Sequence, residues 1–134
     1  SEGQEVLLDL LRRPGEGLVF ANLVDFDQAY GHRNDPAGFA KALESFDECC
    51  GRMVARLRGD EILMITADHG NDPTTPSTDH SRERVPLLVY GPRVRPVALG
   101  ERATFADIGQ TVAEFLGAAP LESGTSFLRE VWDV

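Results

Sequence analysis

Cysteine is nearly absent from this 134-residue sequence, and the two present, Cys49 and Cys50, are neighbours. A bridge between adjacent cysteines is strained and rare, so a disulfide framework of the secreted kind is excluded. With no other thiol in the chain, a zinc site built on thiolates is excluded too. Long apolar runs are missing as well. None approaches the roughly 18 residues of a membrane span, and no charged-then-apolar leader opens the chain. These absences lead us to expect a soluble, cytoplasmic protein with free thiols and no membrane partner. Positive charge is scarce: 13 Lys+Arg face 22 Asp+Glu, a formal net charge of −9, and Lys41 is the only lysine. Such a chain lacks the basic footprint that a phosphate backbone needs, so no nucleic-acid partner is expected.

What is there reads as one globular α/β domain. Hydrophobic residues are 42% and charged residues 26%, close to ordinary folded proteins. Val6, Leu7, Leu10 and Leu11 share one side of a short helix, broken by Pro14, Gly15 and Gly17. Leu18–Asp25 (LVFANLVD) has the continuous apolar character of a strand covered on both faces. Asp35 and Pro36 then suit the cap and first residue of a long helix. Along it, Phe39, Leu43, Phe46, Cys50, Met53 and Leu57 form one stripe at helical spacing, with Cys49 beside it. Both cysteines are therefore expected to pack rather than react. Gly59-Asp60 closes the helix and Glu61–Thr66 is a second strand, which predicts a right-handed βαβ unit. Asn71–Arg84 is a polar loop stiffened by Pro73 and Pro76, and Pro86–Tyr90 is a third strand. Thr104 and Asp107 suggest a capping box before a helix through Phe105, Ile108, Val112, Phe115 and Leu116, which Gly117 ends. The expected architecture is α/β with a mostly parallel sheet and flanking helices.

Only three histidines occur, and all three fall beyond predicted strand ends, where open α/β sheets bind ligands. His32 lies in DFDQAYGH, five residues after Asp27; His69 follows Asp68 in TADHG; His80 closes the polar loop. A single Asp-His pair is an ordinary surface or helix-cap arrangement. Here, though, the entire histidine content gathers on one edge beside carboxylates. Two carboxylates and three imidazoles make an oxygen and nitrogen donor set, suited to Mn²⁺ or Zn²⁺ rather than Ca²⁺. Five ligands are too many for one catalytic ion with an open position and too few for two ions. A two-metal site that borrows further ligands fits the count.

LVDFDQAYGHRND, ITADHGNDPTTPSTDHSRERVPLLVYG, TFADIGQTVAEFLG and GTSFL occur in this order between Gly17 and Leu128. In these segments the chain resembles the phosphopentomutases of the alkaline-phosphatase superfamily. It departs from that family's usual residues at Asn71, where a Cys is common, and at Ser77, where a Gly is common; neither is a ligand position in the family. The resemblance implies that Asp27, His32 and His80 hold one Mn²⁺ ion and that Asp68 and His69 serve a second. Cofactor-independent phosphoglycerate mutases share a TADHGN-like segment, but their ligand spacings differ. Sulfatases and phosphatases lack the DFDQAYGHR and TFADIGQT segments.

The resemblance further implies a phosphorylated threonine between the metals, another aspartate and a cap domain that holds a pentose phosphate. No segment of this chain resembles these parts. Residues 1–134 are thus expected to be the C-terminal part of a metal-binding core whose cap domain and N-terminal core segment lie elsewhere. The expectation for the isolated chain is no catalysis, together with self-association or pairing with the missing part. Alternatives are another alkaline-phosphatase relative or a non-catalytic metal-binding half-domain.

Overall fold

The computed structural model describes residues 2–13 and 15–132, so the helix break expected at Pro14 lies outside the described residues. Six regular elements follow one another: α1 (Glu2–Leu10), α2 (Pro36–Val54), β1 (Leu63–Thr66), β2 (Leu87–Tyr90), α3 (Ala106–Phe115) and α4 (Leu128–Val131). A π-helical turn, Phe26–Tyr30, and a 3-10 turn, Gly31–Arg33, lead into α2.

Helix α2 starts as its sequence dictates. The Asp35 carboxylate accepts from the Gly38 N–H at 2.9 Å, and Pro36 occupies a position that has no helical partner to lose. Its buried side differs from the expected stripe. Cys49 and Met53 are buried against Leu8 of α1, whereas Cys50 is only partly covered and Leu43 is half exposed. Leu8 of α1 packs on the flank of α2 that carries Cys49 and Met53. Burial raises both thiols above their ordinary pKa, so they are inert packing groups. Near the start of α2, Phe26 sets its ring edge against Phe39 and Phe46, at 5.7 and 5.8 Å between centroids.

The sheet corrects two expectations. Among the described residues it consists of β1 and β2 alone, and they are antiparallel, with Leu63 opposite Tyr90 and Thr66 opposite Leu87. A parallel neighbour would need a crossover, normally a helix. The 67–86 connection contains none, and an isolated bridge between Gly70 and Ser81 folds it back on itself. A Cβ on Gly70 would lie 2.7 Å from the Ser81 carbonyl oxygen, so this closure requires glycine. Leu18–Asp25 is not a strand. Leu18, Val19 and Phe20 are 61%, 47% and 85% exposed, and no described strand pairs with them. The βαβ unit expected from this segment is accordingly not formed. Its apolar residues have no ladder to join.

Side-chain alternation along β1 separates two cores. Leu63 points to the cluster of Leu8, Cys49 and Met53, while Ile62 and Met64 point to Phe127, Leu128, Val131 and Trp132. Leu87 and Val89 of β2 join the second cluster. Helix α3 packs on it through Ile108 and Phe115, the latter set edge-on to Trp132 at 5.3 Å. The capping box before α3 takes another form. Thr104 Oγ1 accepts from the Ala106 N–H at 3.2 Å, while the Asp107 carboxylate turns to the Thr125 N–H and Arg102. Gly117, at φ +66°, follows the helix as expected.

Candidate metal centre

The D-x4-H spacing of Asp27 and His32 makes sense only in the turn they occupy. In a regular helix, side chains meet at three or four residues' separation. Here the Gly31 N–H reaches back to the carbonyl of Phe26, five residues earlier, and the wider turn brings residues five apart together. Asp27 Oδ2 and His32 Nε2 stand 3.1 Å apart. Asn34, left-handed at φ +48°, then turns the chain into α2.

The loop after β1 supplies the other imidazoles. The Gly70–Ser81 bridge holds its two ends together, and the His69 and His80 rings stack at 3.6 Å between centroids. His80 Nε2 lies 3.2 Å from His32 Nε2 and 3.4 Å from Asp27 Oδ1. Asp27, His69 and His80 can each present one donor atom within 4.8 Å of the others. The structure thus brings together Asp27, His32, His69 and His80. Asp68 is the outlier, with a side chain 73% exposed that meets the group only through His69, at 3.7 Å. Arg84 pairs with Glu101 at the surface.

Hydrogen bonds prepare these imidazoles to give electrons. The Thr78 carbonyl sits 2.5 Å from His32 Nδ1, and the Gly70 carbonyl 3.2 Å from His69 Nδ1. A carbonyl can only accept, so these partners assign the proton of each neutral ring to Nδ1 and leave a lone pair on Nε2. Two donors bound to one first-row divalent ion at about 2.1 Å stand about 3.0–3.4 Å apart. The separations of His32 Nε2 from Asp27 Oδ2 and from His80 Nε2 are of that size, and His80 Nε2 stands 3.4 Å from the other carboxylate oxygen, Oδ1. The donor set therefore fits such an ion.

Asp27 is held below the usual carboxylate range. Desolvation pushes its pKa upward, but a hydrogen bond from Asn71 and the nearby His32, His69 and His80 together outweigh that push. The Asn71 amide is the one neighbour that composition and motif spacing did not single out. It donates to Asp27 Oδ1 at 2.9 Å. Its position directly after TADHG was the only signal available.

The profile of the Metalloenzyme superfamily matches residues 2–120. The chain belongs to this superfamily. Relatives named phosphopentomutase align with almost the whole length of this chain. That of Kosmotoga olearia is 58% identical over 133 residues, which cover 98% of this chain and 34% of the relative. The Thermotoga petrophila protein is 53% identical over 135 residues, covering 99% of this chain and 35% of its own length. In Anaeromyxobacter dehalogenans the figures are 62% over 122 residues, 91% and 31%. The resemblance carried by the motifs is borne out, and the chain spans about a third of the length of the curated relatives it matches. Among its described residues, no helix is long and apolar enough to cross a membrane.

Proposed function

We propose that the chain is the C-terminal, metal-binding part of the core of a phosphopentomutase, whose whole enzyme interconverts (deoxy)ribose 1-phosphate and 5-phosphate. The observation that carries this reading is the cluster in which His32 Nε2 lies 3.1 Å from Asp27 Oδ2 and 3.2 Å from His80 Nε2, while His80 Nε2 lies 3.4 Å from the other carboxylate oxygen, Oδ1. Asp27, His32 and His80 would hold one Mn²⁺, and Asp68 and His69 would give two ligands to a second. When bound, such ions act as Lewis acids toward the phosphoryl oxygens, and they offset locally the −9 charge that would repel a sugar phosphate.

This chain's own contribution is preorganisation. The Thr78 and Gly70 carbonyls fix two imidazoles with Nε2 free, and the Asp27 carboxylate stays ionised through the neutral range. His32 and His80 remain 38% and 48% exposed, which leaves the centre open to a phosphate group. The phosphorylated threonine of the family has no counterpart in these residues, so the isolated chain binds ions without turnover. Exposed Leu18, Val19 and Phe20 support self-association or pairing with the rest of a core. Free Cys49 and Cys50 are in keeping with a cytoplasmic setting.

Titrating Mn²⁺ into the chain while following the electron paramagnetic resonance of the free ion tests the reading. Saturable binding that is lost in His32→Ala and His80→Ala supports it. An absence of saturable binding, or conversion of ribose 1-phosphate by the isolated chain, overturns it.

A further inference from the structure

Asn71 begins the loop between the strands, and its amide comes closer to Asp27 than either His32 or His80 does: 2.9 Å against 3.1 and 3.4 Å. The place it fills is made for it. A Cβ on Gly31 would fall 2.3 Å from Asn71 Nδ2 and 2.7 Å from its Cγ. Gly31 itself has φ −61° and ψ −62°, a helical conformation open to any residue. Backbone geometry does not require glycine there. Room for the Asn71 side chain does.

The hydrogen bond also divides the carboxylate. Oδ1 accepts from the Asn71 amide and has His80 Nε2 3.4 Å away, while Oδ2 faces the His32 imidazole. With Oδ1 engaged by the amide, Oδ2 beside His32 is the oxygen left to an ion, instead of both wrapping around it. We propose that Asn71 is a positioning residue of the metal centre, seated by Gly31, which fixes Asp27 as a single-oxygen ligand. It thereby favours a small first-row ion over Ca²⁺, which takes six to eight oxygens and often both of a carboxylate. The inference rests on the metal-binding reading above.

The test measures Mn²⁺ affinity by electron paramagnetic resonance, and Ca²⁺ affinity by competition, in the 134-residue chain and in Asn71→Ala, Gly31→Ala and the double variant. Circular dichroism checks the fold of each. Asn71→Ala is expected to weaken Mn²⁺ binding about 10–100-fold, the usual effect of losing an outer hydrogen-bond partner. Ca²⁺ binding should change far less, so selectivity for Mn²⁺ falls. Gly31→Ala leaves Asn71 in the chain but evicts its amide, and should give a similar loss. The double variant should be no worse than Asn71→Ala alone, because both substitutions break the same contact.

Equal Mn²⁺ affinity in Asn71→Ala and the parent chain overturns the proposal. So does a parallel loss of Mn²⁺ and Ca²⁺, which marks a general structural defect, or a double variant whose losses add. If the unsubstituted chain shows no saturable Mn²⁺ binding, the metal reading has failed and the positioning role falls with it. If that chain binds and Asn71→Ala is unchanged, only the positioning role falls.

Discussion

Two apolar stretches of this molecule meet opposite fates. Around α3 and α4 the buried Asp107 and Thr111 have found partners nearby. The Thr111 hydroxyl donates to the Asp107 carbonyl at 2.7 Å and accepts from the Phe127 N–H at 3.0 Å. Phe127 is fully buried, with the Arg102 guanidinium 5.3 Å from its ring centre. Residues 18–24 carry just as much hydrophobic character, yet Phe20 stands 85% exposed. The difference lies in where the backbone hydrogen bonds go. A helix closes its own and then needs only an apolar neighbour. A strand sends its N–H and C=O groups sideways, and its side chains are covered only when another strand receives them.

Substitutions in the two regions sharpen that contrast. The largest effect is expected for Phe127→Ala, about 3–5 kcal/mol of lost stability in urea unfolding, as for other fully buried aromatic residues. Thr111→Val keeps the volume but strands the buried Phe127 N–H, and should cost about 1–3 kcal/mol in the same assay. Asp107→Asn adds a pH signature. The Thr125 N–H bond does most to hold the Asp107 pKa below its ordinary value; burial opposes this and the Arg102 guanidinium adds to it. A depressed carboxylate contributes its full stabilisation above the ordinary carboxylate range. That contribution is lost as pH falls through the lower folded value. The stability gap between wild type and Asp107→Asn should therefore be widest at neutral pH and close on acidification, read from unfolding curves between pH 7 and pH 3. Asp35→Ala removes the α2 cap and should cost about 1 kcal/mol in thermal melts. The smallest effect belongs to the exposed region: Phe20→Ser should stay within about 0.5 kcal/mol of wild type. It should nevertheless lower self-association in sedimentation velocity. A large destabilisation by Phe20→Ser would show the segment to be packed after all.

Much of the local structure could be read from residue order, because its causes are local. Asp35-Pro36 marks a helix start, a 3.6-residue stripe gives α2 its buried side in outline, and Gly117 marks the end of α3. What escaped were pairings between distant segments. Strand direction depended on how the 67–86 connection folds, and that is decided by the close approach of Gly70 to Ser81. The choice of Cys49 over Cys50 depended on where α1 docks. The donor groups of the metal centre were legible because histidine is so scarce that its positions carry information. Asn71 was not, because an asparagine in a polar loop looks like any other until its partner across 44 residues is known.

The five-residue turn at Phe26–Tyr30 also limits how this centre can be moved or copied. Transplanted onto an ordinary α-helix, Asp27 and His32 would point about 140° apart around the axis and could not share an ion. A designer would have to shorten the motif by one residue or import the widened turn with it.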